Sequence, residues 1–217
     1  SSWLVCAVWS VLYDVRCNSQ ACLLVSSNNC LRSNLLARSS GSVNGCLPAL
    51  ALQSVWGTSG ADVYAVGGAS GTGGTGSGVI IHYDGKAWRP MQSPTTSDLA
   101  AVWGVSGGAV YAVGNEGTLL RYTGRSWSVV ETGTEAPLTG ICGTSAGNFF
   151  VTDLVGEVFL VKGGSFTRLP GLTNKTLSGV WVPPHDPFEV YAVGIEGVVL
   201  HYERAHPLEA PAAGGHR

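Results

Sequence analysis

Leu99-Ala-Ala-Val-Trp-Gly-Val-Ser-Gly-Gly-Ala-Val-Tyr-Ala-Val-Gly114-Asn-Glu-Gly-Thr118-Leu-Leu-Arg-Tyr122-Thr-Gly-Arg-Ser-Trp127-Ser-Val-Val130 is the stretch whose reading decides the fold. It holds four short runs of β-branched, aromatic and aliphatic residues, separated by Gly, Asn and Ser. Such runs are too short for helices and carry no apolar period of 3.6, so they read as four antiparallel strands joined by tight turns. The pattern recurs. Leu52-Gln-Ser-Val-Trp-Gly57, Leu138-Thr-Gly-Ile-Cys-Gly143 and Leu177-Ser-Gly-Val-Trp-Val182 repeat the first run, and Val63-Tyr-Ala-Val-Gly67, Phe149-Phe-Val-Thr-Asp153 and Val190-Tyr-Ala-Val-Gly194 the second. Val79-Ile-Ile-His-Tyr83, Glu157-Val-Phe-Leu-Val161 and Val198-Val-Leu-His-Tyr202 repeat the third, and an aromatic marks the fourth at Trp88 and Phe166. Four strands per unit of about 39 residues describe the blade of a β-propeller, in which small twisted sheets bury their faces against their neighbours.

Within that frame the conspicuous residues have packing duties. Trp56, Trp103 and Trp181 on first strands, and Tyr64, Tyr111 and Tyr191 on second strands, are expected to fill the wedges between blades. Gly67, Gly114 and Gly194 end the second strand and are expected at positive φ. The third unit departs most from its sisters, with Phe150 for Tyr, Phe166 for Trp and Asp153 for Gly. Its Cys142 stands where the others have Trp, which predicts a buried free thiol. No fourth run follows Tyr202, and four repeats sit at the low limit for closing a ring. The expected architecture is therefore all-β: four regular blades plus a degenerate fifth or none, incomplete or open, with end blades prone to self-association.

The Leu-x-x-Val-Trp-Gly, Val-Tyr-Ala-Val-Gly and Gly-x-Leu-Leu-x-Tyr-x-Gly-x-x-Trp runs resemble repeats of secreted or lipid-anchored propeller proteins of myxobacterial type. They also look like blades of the photosystem II stability and assembly factor family and, more distantly, the Asp-box repeats of sialidase-like propellers. The resemblance covers residues 52–202 and implies the fold alone. Tyr83-Asp84-Gly85-Lys86-Ala87-Trp88 and Tyr122-Thr-Gly-Arg-Ser-Trp127 are each one residue tighter than an Asp-box, and the second lacks the Asp, so sialidase chemistry and its arginine trio are not carried over.

Composition narrows the partners. Charged residues make up 12% of the 217, and 31 are Gly, so the chain is turn-rich and weakly charged. A formal charge of -2 supplies no basic field for nucleic acid. No apolar run reaches the 18 residues of a membrane helix. Five of six cysteines (Cys6, Cys17, Cys22, Cys30, Cys46) precede residue 47 without a CxxC pair, which favours disulfides in an exported protein over zinc. Residues 1–50 read as a Cys-rich leader, a disulfide-bonded cap or a degenerate blade, with 13–25 laid on 109–121 so that Leu23 and Leu24 match Leu119 and Leu120. Trp9 then falls near the first-strand position, offset by two. Residues 51–204 are the repeats, divided at 52–98, 99–137, 138–176 and 177–204. Residues 205–217, rich in breakers, are expected to be disordered.

No GxSxG, HExxH or Cys/His pairing appears, so no catalytic residue, metal site or cofactor is assigned. His82, Arg121 and His201 share one third-strand position, facing solvent or a blade edge, and His185 lies in a proline-bounded loop. The links between second and third strands, and between blades, fall on one face. There lies the single insertion, 67–78, a flexible Gly/Ser/Thr loop without the Lys-Ser/Thr ending of a phosphate cradle. The candidate binding face is Gly68, Ser70, Thr72, Thr75, Ser77, Asn115, Glu116 and Glu196. Glu116 and Glu196, equivalent in alternate blades, could serve as a carboxylate pair for glycoside chemistry only if held close together; solvated turn positions are the simpler reading. The expected function is a non-enzymatic binding or scaffold module, secreted or in the cell envelope, that presents this face to a protein or glycan. A sialidase-type enzyme or lectin, and an assembly factor for a membrane complex, are the alternatives.

Overall fold

Each repeat folds into one antiparallel sheet in strand order. The computed structural model describes residues 24–26, 30–32, 50–69, 78–171, 173–184 and 189–203, with backbone only at 24–26, 30–32, 50 and 69. A short ladder pairs β1 (Leu24–Ser26) with β2 (Cys30–Arg32). The first blade comprises β3 (Leu50–Ser59), β4 (Asp62–Ala69), β5 (Gly78–Tyr83) and β6 (Trp88–Met91). The second comprises β7 (Leu99–Ser106), β8 (Ala109–Gly114), β9 (Leu119–Tyr122) and β10 (Trp127–Val130). The third comprises β11 (Leu138–Ser145), β12 (Asn148–Asp153), β13 (Val158–Lys162) and β14 (Ser165–Arg168). The fourth has three strands, β15 (Leu177–Trp181), β16 (Glu189–Gly194) and β17 (Val199–Glu203). Every first strand bulges just past its leucine, between Leu52 and Ser54, Leu99 and Ala101, Leu138 and Gly140, and Leu177 and Gly179. A bulge repeated at one place in every unit adds the same local twist to each blade.

Register assigns each side chain to a face. In the second blade Trp103 lies opposite Tyr111, and Tyr111 opposite Arg121, so these three share a front face with Val113 and Leu119. Val102, Ala112 and Leu120 share the back face with Val110, Tyr122 and Trp127. Each front face packs on the back face of the next blade. Tyr111 and Trp103 meet Phe149 of the third blade at ring-centre distances of 4.6 Å and 5.7 Å, and Tyr64 meets Tyr122 of the second at 5.8 Å. The tyrosine hydroxyls also bridge blades: Tyr64 donates to the Gly107 carbonyl at 3.1 Å and Tyr111 to that of Ala146 at 2.7 Å. Burial holds the Tyr64 hydroxyl well above the ordinary phenol range, with the charge of Asp62 adding to it.

The stack ends in the open. Trp103 is 3% exposed, whereas Trp181 at the same place in the fourth blade is 38% exposed. Val199 is 69% exposed, against 0% for its counterpart Leu119. Among the described residues no blade covers the fourth front face, and β15 does not pack against β3 as β3 packs against β7. Among the described residues, four consecutive blades form an open array.

Two sequence expectations are corrected. Gly67, Gly114 and Gly194 are not at positive φ; Gly194 is extended at φ -154. Glycine stands there because a Cβ would lie 1.9 Å from the Ala51 carbonyl oxygen, or 2.1 Å from that of Asp98 or Thr176. Cys142 is buried as expected, but it is disulfide-bonded rather than free. A cysteine leaves unfilled much of the space its sister tryptophans occupy, which makes room for a second sulfur.

Candidate binding face

Antiparallel blades place the second-to-third turns and the inter-blade links at one end of every sheet, and backbone hydrogen bonds fasten them together. Asn115 N–H donates to Asp98 O at 2.9 Å, Leu154 N–H to Pro137 O at 3.0 Å and Ile195 N–H to Thr176 O at 3.0 Å. Each joins a turn to the residue just before its own blade. In the second and fourth blades the turn passes through the left-handed region at a glutamate, Glu116 (φ 56) and Glu196 (φ 58), followed by Gly117 and Gly197. The first-strand link holds each glutamate: Ser97 Oγ donates to Glu116 Oε2 at 2.7 Å, and Lys175 Nζ pairs with Glu196 Oε2 at 2.5 Å. No hydrogen bond or ion pair joins the two carboxylates to each other; each is engaged by the link that leads into its blade.

Of the remaining sequence candidates, Asn115 is exposed beside Glu116. Gly68 is buried in β4, opposite Gly78, with the Asp98 carboxylate where its Cβ would be. The insertion therefore begins by lengthening the β4–β5 hairpin. Ser70, Thr72, Thr75, Ser77 and His185 lie outside the described residues.

In the third blade the turn is built differently. Asp153, fully buried, accepts from Val155 N–H at 3.0 Å and Glu157 N–H at 2.8 Å through Oδ1, while Oδ2 has no hydrogen-bond partner. Burial pushes its carboxyl above the usual range, only partly offset by the amides of Glu157, Val155 and Gly156 and by the charge of Arg168. A carboxyl raised on folding stabilises the fold below its unfolded pKa of about 3.9, and that contribution is lost as pH rises through the folded value. Asp153→Asn keeps the acceptor and removes the charge. Urea unfolding from pH 4 to 7 is expected to show the parent losing stability relative to this variant, which is the more stable of the two at pH 7.

The opposite end carries an arrangement that the sequence reading missed. Asp62 Oδ1 lies 2.7 Å from His82 Nε2, Thr58 Oγ1 donates to Asp62 Oδ2 at 2.5 Å, and the His82 ring lies 4.4 Å from Tyr64. Burial raises the Asp62 carboxyl, but the hydrogen bonds of Thr58 and His82 and the histidine charge outweigh it, leaving it below the ordinary value. The fourth blade repeats the set, with His201 3.5 Å from Glu189 and stacked on Tyr191 at 4.4 Å. The signal was present in register: an acid opening the second strand accompanies a histidine in the third (Asp62 with His82, Glu189 with His201), whereas Ala109 accompanies Arg121. These pairs brace blade edges, and no two of the histidines converge. Among the described residues no three His, Cys, Asp or Glu gather into a metal-binding group, and no helix is long and apolar enough to cross a membrane.

Blade order, the front-to-back packing and the strand count define a protein of β-propeller fold. Solved structures agree. The computationally designed Ika4 protein is 16% identical, with a TM-score of 0.58 over 76% of this chain and 96% of its own. YCF48 from Cyanidioschyzon merolae, 12% identical, has a TM-score of 0.55 over 70% of this chain and 51% of its own. Streptogramin B lyase, also 12% identical, has 0.54 over 74% and 57%. The chain thus spans about half the length of these two natural propellers. The likeness to photosystem II assembly factor blades is met at the level of fold. No protein-family model and no curated protein sequence matches the chain.

Proposed function

We propose that the chain is a non-enzymatic binding module whose turn-bearing face takes a cationic, partly apolar segment of a protein partner. The carrying observation is the chemistry of that face. Asp98, Glu116, Glu131, Glu135 and Glu196 are all exposed there. Among the described residues, two cations of this face are already committed, Lys175 to Glu196 and Arg168 to Glu157. Leu154, Val155 and Ile195 stand exposed among these carboxylates. Fixed turns on which acids outnumber cations, with a few apolar side chains among them, favour a partner of opposite charge with aliphatic anchors. A glycan is less well served, because residues 92–98, 131–137, 153–157 and 170–176 contain no aromatic side chain on which a sugar could stack. The disulfide at Cys142 supports work in an oxidising compartment, in keeping with export.

Peptide display against the chain of residues 1–217 tests this reading. Enriched peptides are expected to combine Lys or Arg with Leu, Val or Ile, and Glu116→Lys combined with Glu135→Lys is expected to weaken binding about tenfold or more. Enrichment of acidic peptides, or binding indifferent to both substitutions, contradicts it.

A further inference from the structure

Among the described residues, no outer strand pairs with β17 of the fourth blade, whereas each of its three sisters has one. The hydrogen-bonding direction along that edge follows from the other blades. Asp84 N–H donates to Ala87 O at 3.3 Å and Thr123 N–H to Ser126 O at 3.4 Å, so the amides two and four residues earlier, His82 and Ile80 or Arg121 and Leu119, also point at the outer strand. By equivalence the amides of Val199 and His201 point away from β16, at an edge to which nothing described here is paired. An uncapped edge next to a bare apolar face, where Trp181, Val193 and Val199 are exposed, is a template for an added strand.

We propose that residues 9–12 of this same chain, Trp9-Ser10-Val11-Leu12, are that strand, antiparallel to β17 with Trp9 opposite Tyr202, Ser10 opposite His201, Val11 opposite Leu200 and Leu12 opposite Val199. The sequence repeats the outer strand of the second blade, Trp127-Ser128-Val129-Val130, in which Trp127 lies opposite Tyr122 and Val130 opposite Leu119. An aromatic heads the outer strand in the first blade too, where Trp88 lies opposite Tyr83. A seat exists for it. Trp127 reaches back to the preceding blade, its Nε1 3.5 Å from Met91 Sδ, and in the third blade the place of Met91 is taken by Leu169, whose N–H bonds Val158 O at 2.8 Å as the register of Met91 with Ile80 requires.

Spacing agrees with this assignment. The outer-strand aromatic precedes the next unit's leucine by 11 residues in all three complete blades, Trp88 to Leu99, Trp127 to Leu138 and Phe166 to Leu177. Trp9 precedes Leu52 by 43, which leaves room for one shortened repeat between them, the segment that contains the β1–β2 hairpin.

Amide hydrogen exchange on the chain of residues 1–217 tests the proposal, and Pro90 supplies the control. Proline is tolerated at the third position of the outer strand, opposite Ile81, because the missing N–H there faces away from the ladder. Val199 and His201 are expected to be protected to the same degree as Leu119 and Arg121. Ser10→Pro is expected to speed their exchange about tenfold or more, the size of one lost ladder bond, whereas Val11→Pro leaves it unchanged. Unaltered protection of Leu119 and Arg121 in both variants reports that the blades remain folded, and Trp9→Phe, which imitates Phe166, is expected to retain the protection. Exchange of Val199 and His201 at the rate of an open edge in the parent overturns the proposal. So does protection indifferent to Ser10→Pro, as a further blade or another partner on the edge would give. Protection confined to a species of twice the mass by light scattering also overturns it, because the strand then comes from a second copy.

Discussion

Trp103→Ala is expected to lower stability by about 3–5 kcal/mol, while Trp181→Ala, the same change one end of the stack away, costs less than about 1 kcal/mol. Both tryptophans begin the front face of a blade and both lie opposite a tyrosine. They differ in what covers them. Trp103 is wedged against Phe149 of the following blade, so truncation opens a cavity between two sheets that cannot close without moving a blade. Trp181 has no following blade among the described residues and is already 38% exposed. Urea unfolding followed by circular dichroism measures both. Equal losses at the two positions would show that the fourth front face is covered in solution.

Gly114→Ala is expected to cost about 3 kcal/mol, more than a propensity argument for a strand residue allows. The added methyl would sit 2.1 Å from the Asp98 carbonyl oxygen and 2.9 Å from Leu99 Cα, backbone atoms of the inter-blade link and of the first residue of β7. That carbonyl is also the acceptor of Asn115 N–H, so moving it loosens the turn that carries Glu116. Gly133→Ala is the contrast: at φ 71 it pays for left-handed backbone but meets no atom within 4 Å, and about 1 kcal/mol is expected. A Gly114→Ala protein as stable as its parent would mean that the first and second strands are not held at this separation.

Much of the fold was legible because the sequence states it four times. Strand order and the wedge positions of Trp56, Trp103, Tyr64 and Tyr111 came from residue types recurring at fixed spacing, and repetition averages out local noise. What escaped were properties of contact rather than of type. A glycine required by a carbonyl 2 Å from its Cβ looks the same in sequence as one required by positive φ, so the cause assigned to Gly67, Gly114 and Gly194 was wrong although the position was right. The left-handed turns sit instead on Glu116 and Glu196, residue types that give no such warning. Cys142 was placed in the core correctly, but pairing depends on a second sulfur distant in sequence. Asp153 stood out as a departure from the repeat; its role as acceptor for its own turn emerges only when Val155 and Glu157 fold back over it.

On the candidate face, Asn115, Glu116 and Glu196 lie at the turn-bearing end of the sheets, as strand direction alone requires. Gly68, named with them, is buried in the longer β4–β5 hairpin. Sequence reasoning passed over the acids of the inter-blade links, Asp98, Glu131 and Glu135, since a link without a repeated motif attracts no notice. The exposed charge of those links now carries the functional reading.

The central claim is that consecutive repeats are blades stacked front to back. Nuclear Overhauser contacts between aromatic rings test it most directly. The account predicts cross-peaks from Tyr111 and Trp103 to Phe149, and from Tyr64 to Tyr122, each joining neighbouring repeats at 4.6 to 5.8 Å between ring centres. Contacts confined within single repeats, such as Trp103 to Tyr111 without either to Phe149, would contradict it.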